Sequence, residues 1–256
     1  MSRIKDVFAG KKAFIPFITA GDPNLSITEE LVYAMAEAGA DLIELGIPFS
    51  DPVAEGPVIQ EADLRALAAG TTTDKIFETV KRIRKKTQVP LAFMTYINPI
   101  FVYGSRKFLK NMADCGMDAL IVPDMPFEEK EALAPLCREF KIDLISLIAP
   151  TSKERIRAIA AEAEGFVYCV SSLGLTGVRK EITTNIQEMV DLVKETKDLP
   201  CAVGFGISTP EQARTLSRQA DGIIVGSAIV KLAAKYGTEC VEPIREYVRE
   251  MKGAVR

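Results

Sequence analysis

The sequence predicts an α/β protein built as a closed (β/α)8 barrel, in which eight parallel strands are each followed by a helix. Short apolar runs alternate with amphipathic runs along the chain, and the connections between them have the length of a helix. The chain has 256 residues, close to the ~250 typical of one such barrel. We therefore expect one domain over residues 1–256, with extra helices at the N-terminus and in the loops.

Eight apolar runs are the predicted strands. In chain order they cover residues 13–19, 41–45, 91–95, 119–122, 143–148, 165–170, 201–204 and 222–225. The main alternative is an open, doubly wound sheet that binds a dinucleotide. The first strand-to-helix turn, however, reads TAGDP at residues 19–23, and this lacks the GxGxxG pattern of such folds.

The predicted helices fill the intervals between these strands. The first begins at a capping Ser26 or Thr28 and runs through Ala38, and the helix over residues 74–86 is capped by Thr73 or Asp74. The others cover residues 59–69, 107–113, 128–140, 152–163, 187–194, 210–219, 228–234 and 241–251.

Composition excludes several classes of function. The net charge is −3 and no Lys/Arg run interleaves with aromatic residues, which disfavours nucleic-acid and anionic-membrane partners. The N-terminus lacks a signal peptide's apolar core, and no apolar run approaches the ~20 residues that span a bilayer. We expect a soluble, cytoplasmic protein. Its five cysteines have no CxxC spacing, which suits buried structural thiols in a reducing compartment.

The chain contains no histidine. This excludes Ser-His-Asp and Cys-His catalysis and histidine-liganded zinc, and we predict no metal site. Carboxylates, lysines, tyrosines and backbone amides remain for any acid–base chemistry.

Residues 41–60 carry the most informative pattern. In the second strand, period-two alternation places Leu42 and Glu44 on one face and Ile43 and Leu45 on the other, so Glu44 lies in a strand that is apolar on both faces. Such a carboxylate must be desolvated, paired or functional. The Gly- and Pro-rich loop that follows carries Asp51 and Glu55 to the same strand end. The alternative is that an unseen Lys or Arg pairs with Glu44 and that both loop acids are solvated charges.

Three further loops belong to the same end of the barrel. Residues 204–208 read GFGIS after the seventh strand, and residues 226–228 read GSA after the eighth. In barrels of this type, these two loops and a following helix N-terminus form the recurrent phosphate site. Residues 171–181, SSLGLTGVRKE, form a long loop after the sixth strand that is either a lid or a mobile surface loop.

Six motifs together resemble the tryptophan synthase alpha subunit family, and they cover nearly the whole chain in order. They are FITAGDP at 17–23, ELGIPFSDPVAEGPVIQ at 44–60, VPDMP at 122–126, SSLGLTG at 171–177, GFGIS at 204–208 and VGSAIV at 225–230. The resemblance implies a barrel that reversibly cleaves indole-3-glycerol phosphate to indole and glyceraldehyde 3-phosphate. It also implies that indole passes to a beta subunit carrying pyridoxal phosphate in an alpha2-beta2 complex, and that this chain has no cofactor of its own.

The resemblance also implies roles for single residues. Glu44 matches the general acid/base, and Glu55 matches the second catalytic carboxylate, which is commonly Asp within ADGP; the chain has Ala54-Glu55-Gly56-Pro57. We expect Glu44 to be protonated by burial and Glu55 to be ionised in a more polar loop. Other residues match substrate contacts (Phe17, Tyr96, Tyr168, Thr176), phosphate contacts (Gly177, Gly206, Gly226, Ser227) and partner-facing loops (Pro48, Asp51, Asn98).

Three other functions remain open at this point. A stand-alone indole-3-glycerol phosphate lyase would use the same residues without a partner. A non-catalytic barrel that binds a phosphorylated ligand and regulates a partner is favoured only by the glutamate at position 55. A sugar-phosphate isomerase or epimerase fits the phosphate loops but not the ELGIPFSDP segment.

Overall fold

The computed structural model describes residues 3–170, 186–204 and 206–255. Eight parallel strands close into a barrel in chain order, with the last strand paired to the first, which confirms the predicted fold. The strands are β1 (Ala13–Thr19), β2 (Ile43–Gly46), β3 (Leu91–Met94), β4 (Ala119–Ile121), β5 (Asp143–Ile148), β6 (Val167–Val170), β7 (Cys201–Gly204) and β8 (Gly222–Val225).

Helices surround this barrel. The described α-helices are α1 (Ile4–Val7), α2 (Leu25–Glu37), α3 (Pro57–Ala68), α4 (Thr73–Ile83), α5 (Ile97–Tyr103), α6 (Ser105–Cys115), α7 (Ala134–Phe140), α8 (Lys153–Glu162), α9 (Ile186–Thr196), α10 (Pro210–Ser217), α11 (Ser227–Tyr236) and α12 (Val241–Ala254). Two 3₁₀ helices span Phe127–Ala132 and Gly237–Glu239. None of the described helices is long and apolar enough to cross a membrane.

Strand alternation divides the core into two layers. Side chains such as Leu42 and Ile224 pack inside the barrel, whereas Ile43 and Leu45 belong to the layer between strands and helices. The short helix α1 adds Ile4 to the interior layer. It covers the amino-terminal end of the barrel, so the opposite end is the open one.

Several predicted bounds were wrong. Asn24 caps α2 by accepting a hydrogen bond from the Ile27 N–H, in place of Ser26 or Thr28. Thr72 caps α4 by accepting one from the Lys75 N–H, and α4 ends at Ile83 rather than residue 86. The cap lies two or four residues earlier than predicted in α2 and one or two residues earlier in α4, because several neighbouring side chains have suitable oxygens.

Two larger differences concern the segments after β3 and β4. The helix predicted over residues 128–140 is divided into the 3₁₀ helix Phe127–Ala132 and α7, because a proline occupies the first turn of α7. Helix α5 was not predicted, since its seven residues include Asn98 and Pro99 and show no amphipathic stripe. The predicted bounds of β1, β5, β7 and β8 agree with the structure. Those of β2, β3, β4 and β6 differ from it by one or two residues.

All five cysteines are buried and none forms a disulfide. This confirms the expectation of buried single thiols. Burial is the main cause that raises the thiol pKa of Cys115 and Cys137, each to about 12, so these thiols stay protonated and unreactive at neutral pH.

Candidate active site

Glu44 lies on the interior face of β2, as the strand alternation predicted. In the ladder it stands opposite Phe17 of β1 and Ala92 of β3. Leu42, two residues earlier, packs in the barrel interior. Glu44 is 0% exposed, so a carboxyl group sits inside the barrel near the open end.

No described residue forms an ion pair or a hydrogen bond with the Glu44 carboxyl group. Neither of its carboxyl oxygens has a hydrogen-bond partner among these residues, and none of the ion pairs between described residues includes it. The alternative of a Lys or Arg partner therefore finds no support among the described residues. Burial raises the pKa of Glu44 to about 8, so the group is a neutral acid at pH 7 and can give a proton.

Tyr168 of β6 lies on the same interior surface as Glu44. Burial raises the pKa of its hydroxyl far above its ordinary value, and the negative charge of Glu44 in its ionised form adds to this effect. The ring packs against β7, where a Cβ at Gly204 would lie 2.5 Å from the Tyr168 hydroxyl oxygen. Glycine at position 204 therefore makes the room for a tyrosine beside the acid.

Glu55 reaches the same region from the loop between β2 and α3. Its side chain hydrogen-bonds those of Tyr96 and Asp63. The Tyr96 hydroxyl also accepts a hydrogen bond of 3.0 Å from the Ala54 N–H, and the Gln60 amide donates one of 2.7 Å to the main-chain carbonyl of Glu55. These contacts fix the loop acid against the barrel mouth.

The alternative in which Glu55 is a solvated loop charge is wrong. Glu55 is only 8% exposed, and burial raises its pKa while the hydrogen bonds from Asp63 and Tyr96 oppose that rise. Burial and the charge of Glu55 raise the pKa of Asp63 to about 9. Because a hydrogen bond between two carboxyls needs a proton on one of them, the pair shares a proton at neutral pH.

A single cavity brings most of the predicted site residues together. Seven of them line it: Phe17, Glu44, Glu55, Tyr168, Gly206, Gly226 and Ser227. Its other lining residues are apolar and were not predicted: Ile59, Met94, Ile207 and Ile224. Period-two alternation along β8 would have placed Ile224 inside the barrel. The cavity therefore combines two acids with an apolar lining.

The two helices that follow β7 and β8 differ at their N-termini. Thr209 and Gln212 form a capping box that binds the first N–H groups of α10. Helix α11 begins after Gly226 with no side-chain cap among the described residues, and Gly226 and Ser227 at this helix start line the cavity. Gly206 has a φ of +82°, a conformation that favours glycine. This arrangement suits an anion at α11.

Some predicted residues lie elsewhere. Thr176 and Gly177, with the whole 171–181 loop, lie outside the described residues. Tyr96 contacts Glu55 and is not part of the cavity lining. Of the residues predicted to face a partner, Asp51 and Asn98 are exposed and Pro48 is buried.

A larger cavity of about 330 Å³ is lined by the segments that follow β4 and β5, by α7 and α8, and by Ala54 of the β2–α3 loop. It contains neither Glu44 nor Glu55. Within the described ranges, no group of three or more His, Cys, Asp or Glu side chains is arranged to hold a metal ion.

A closed barrel with buried acids at the carboxyl ends of its strands defines a barrel enzyme with acid–base chemistry. Residues 4–256 match the family described as tryptophan synthase alpha chain. The chain belongs to this family.

Similar proteins cover the chain almost completely. The tryptophan synthase alpha chain of Lacticaseibacillus casei is 48% identical over 255 residues, which is 100% of this chain and 96% of that protein. The one from Halalkalibacterium halodurans is 51% identical over 245 residues, 95% of this chain and 92% of that protein.

Solved structures agree with this assignment. A structure of Mycobacterium tuberculosis tryptophan synthase superposes with a TM-score of 0.90 at 32% identity, covering 100% of this chain and 98% of that one. A chain from a structure of the Pyrococcus furiosus tryptophan synthase a2b2 complex gives 0.88 at 38% identity, covering 95% and 99%.

Proposed function

We propose that this chain cleaves indole-3-glycerol phosphate to indole and glyceraldehyde 3-phosphate, the alpha reaction of tryptophan synthase. The observation that carries the proposal is the cavity in which a neutral Glu44 and the loop acid Glu55 meet an apolar lining. Apolar side chains suit an aromatic ring, and the two acids have different surroundings: Glu44 has no hydrogen-bond partner among the described residues, whereas Tyr96 and Asp63 hydrogen-bond Glu55. Such a difference in surroundings is how two carboxyls take different roles in one reaction.

Glu44 is the general acid/base in this proposal. The bond between indole C3 and the glycerol chain breaks once C3 has accepted a proton, which Glu44 gives. The same group then removes the proton of the side-chain hydroxyl at the cleaved carbon, and that carbon becomes the aldehyde. Glu44 gives one proton to C3 and takes one from the hydroxyl, so it ends the reaction in the protonation state in which it began.

Glu55 stabilises the charged ring. Protonation at C3 makes the indole ring cationic, and the N–H proton becomes acidic. A carboxylate buried beside this position lowers the energy of the cation, because its charge is poorly screened in a site with little water. Tyr96 holds Glu55 by a hydrogen bond. Tyr168 lies near Glu44 and lines the same cavity.

The phosphate group is bound by the glycine-containing loops after β7 and β8. Gly206, Gly226 and Ser227 line the cavity there, and the N-terminus of α11 supplies backbone N–H groups. Gly177 and Thr176 belong to the same proposal as a phosphate contact and a lid residue. Anchoring the phosphate fixes the indole against the acids, and such positioning supplies much of the rate gain that acid–base catalysis alone does not give.

The partner is a tryptophan synthase beta subunit in an alpha2-beta2 complex. The exposed surface next to the site carries Asp51, Asn98 and the apolar side chains of Val53, Phe101 and Val102, which are 71%, 52% and 81% exposed. Exposed apolar groups beside loops of the active site are typical of a surface that another protein covers. The chain has no cofactor of its own, pyridoxal phosphate belongs to the beta subunit, and the complex is cytoplasmic.

Substitutions at the two acids test the roles. Glu44→Gln keeps the shape of the side chain but cannot give and take a proton, so it should lose turnover by about 10²- to 10⁴-fold while substrate still binds. Glu55→Asp should keep activity and Glu55→Ala should not. Turnover that survives in Glu44→Gln would remove Glu44 from the mechanism, and an active Glu55→Ala would remove Glu55.

A further inference from the structure

Asp63 is a carboxyl group on the apolar side of a helix. It is 4% exposed, and it belongs to the buried stripe of α3 formed by Ile59, Ala62, Asp63 and Ala66. Residues at this spacing share one helix face. A carboxyl in such a stripe must be paired, hydrogen-bonded or neutral, because an isolated buried charge is costly.

The contacts of Asp63 point toward the active site. Its side chain hydrogen-bonds that of Glu55, and it also accepts a hydrogen bond from the backbone N–H of Phe49. A hydrogen bond between two carboxyl groups requires that one of them carry a proton, since an ionised carboxylate only accepts.

The surrounding charges explain why the pair keeps a proton. Glu55 faces Asp63 from the β2–α3 loop, Asp22 from the loop after β1 and Tyr96 from the end of β3. The cation next to Asp63 on its own helix is Arg65, but its Nε and Nη2 atoms donate to Asp22 at 2.8 Å each. With Arg65 engaged by Asp22, a proton keeps the pair from carrying two negative charges.

We propose that Asp63 is a positioning residue for the cleavage reaction, in which its protonated carboxyl donates a hydrogen bond that holds Glu55 ionised and fixed at the edge of the cavity. Asp63 itself does not line the cavity, so it acts through Glu55 and not on the substrate. This inference rests on the proposed role of Glu55 in the alpha reaction. It also explains how a longer acid at position 55 is held, since Asp63 and Tyr96 bind it together.

The shared proton can be tested without any activity measurement. In a ¹³C NMR titration of the full chain, the Glu55 and Asp63 carboxyl signals should show one proton held at neutral pH and released as the pH rises through about 9. In Asp63→Asn that step should disappear. Two carboxyls that are both ionised at neutral pH would overturn the proposal, whatever reaction the chain catalyses.

Kinetics of indole release test the positioning role. Asp63→Asn keeps an N–H donor toward Glu55 and an oxygen for the Phe49 N–H, so kcat should stay within about threefold of the wild type. Asp63→Leu has a similar shape but no donor. Its kcat should fall by about 10- to 100-fold, the effect expected for loss of a hydrogen bond to a charged group, with KM changing less.

The two variants together decide the question. Equal loss in Asp63→Asn and Asp63→Leu, or full activity in Asp63→Leu, would overturn the positioning role. A wild-type chain that releases no indole while the NMR titration still shows the shared proton would instead count against the proposed function. These outcomes distinguish a failure of the positioning role of Asp63 from a failure of the proposed cleavage reaction.

Discussion

Replacing Glu44 by Gln should stabilise the folded chain at alkaline pH. A glutamate has an ordinary pKa of 4.5, whereas burial raises the pKa of Glu44 to about 8 in the folded chain. Between these values the folded state holds a proton that the unfolded state has lost. The stability that Glu44 contributes is therefore complete below about pH 4.5 and is lost as the pH rises through about 8.

The magnitude follows from the two pKa values. At about 1.4 kcal/mol per pKa unit, the full rise corresponds to a loss of free energy of unfolding on the order of 5 kcal/mol. This is a large part of the total stability of an ordinary domain. The glutamine side chain has no charge to desolvate, so it escapes this loss.

Urea unfolding measures the effect. Wild type and Glu44→Gln would be compared at about pH 5.5, 7 and 9, with the free energy of unfolding taken from each transition. The advantage of Glu44→Gln over the wild type should grow steadily with pH. Asp51→Asn, which alters an exposed carboxylate of the neighbouring loop, is the control and should show no such growth. A difference between Glu44→Gln and wild type that is flat with pH would mean that Glu44 is ionised or paired in the folded chain.

Three further predictions concern activity. The kcat for indole release should fall as the pH rises through about 8, because Glu44 must begin protonated, and a rate that is constant to pH 9 would refute this role. Gly204→Ala should lower kcat, since its Cβ would meet the Tyr168 hydroxyl oxygen at 2.5 Å, whereas Gly253→Ala, whose Cβ meets nothing within 4 Å, should leave kcat unchanged. Val102→Asp places a charge on a side chain that is 81% exposed; it should reduce rate activation by the beta subunit and leave the basal rate intact, as steady-state assays with and without that subunit would show.

The barrel and the position of Glu44 could be predicted because each depends on a local pattern. Alternation along the second strand placed Glu44 with Leu42, and the structure places both inside the barrel. The phosphate loops could be located because a closed barrel gathers all its strand ends at one rim. Gly206, Gly226 and Ser227 meet at one cavity for that reason.

The environment of Glu55 could not be predicted in the same way. Its environment depends on Tyr96 and Asp63, which come from different elements. The sequence of a loop does not show which distant side chains will pack against it. Asp63 did leave a signal, since its spacing from Ile59 and Ala62 places it on the apolar stripe of α3. An acid on the apolar stripe of a helix is a candidate for function. Helix α5 was missed because its length is below that at which a helical period can be recognised.

The most direct test of the account is indole release from indole-3-glycerol phosphate by the purified chain, measured alone and with a tryptophan synthase beta subunit. We expect slow release alone and much faster release with the partner. Fast release alone that the beta subunit does not change would indicate a stand-alone lyase. No release under either condition would contradict the assignment of Glu44 and Glu55 and leave the chain as a phosphate-ligand-binding regulator.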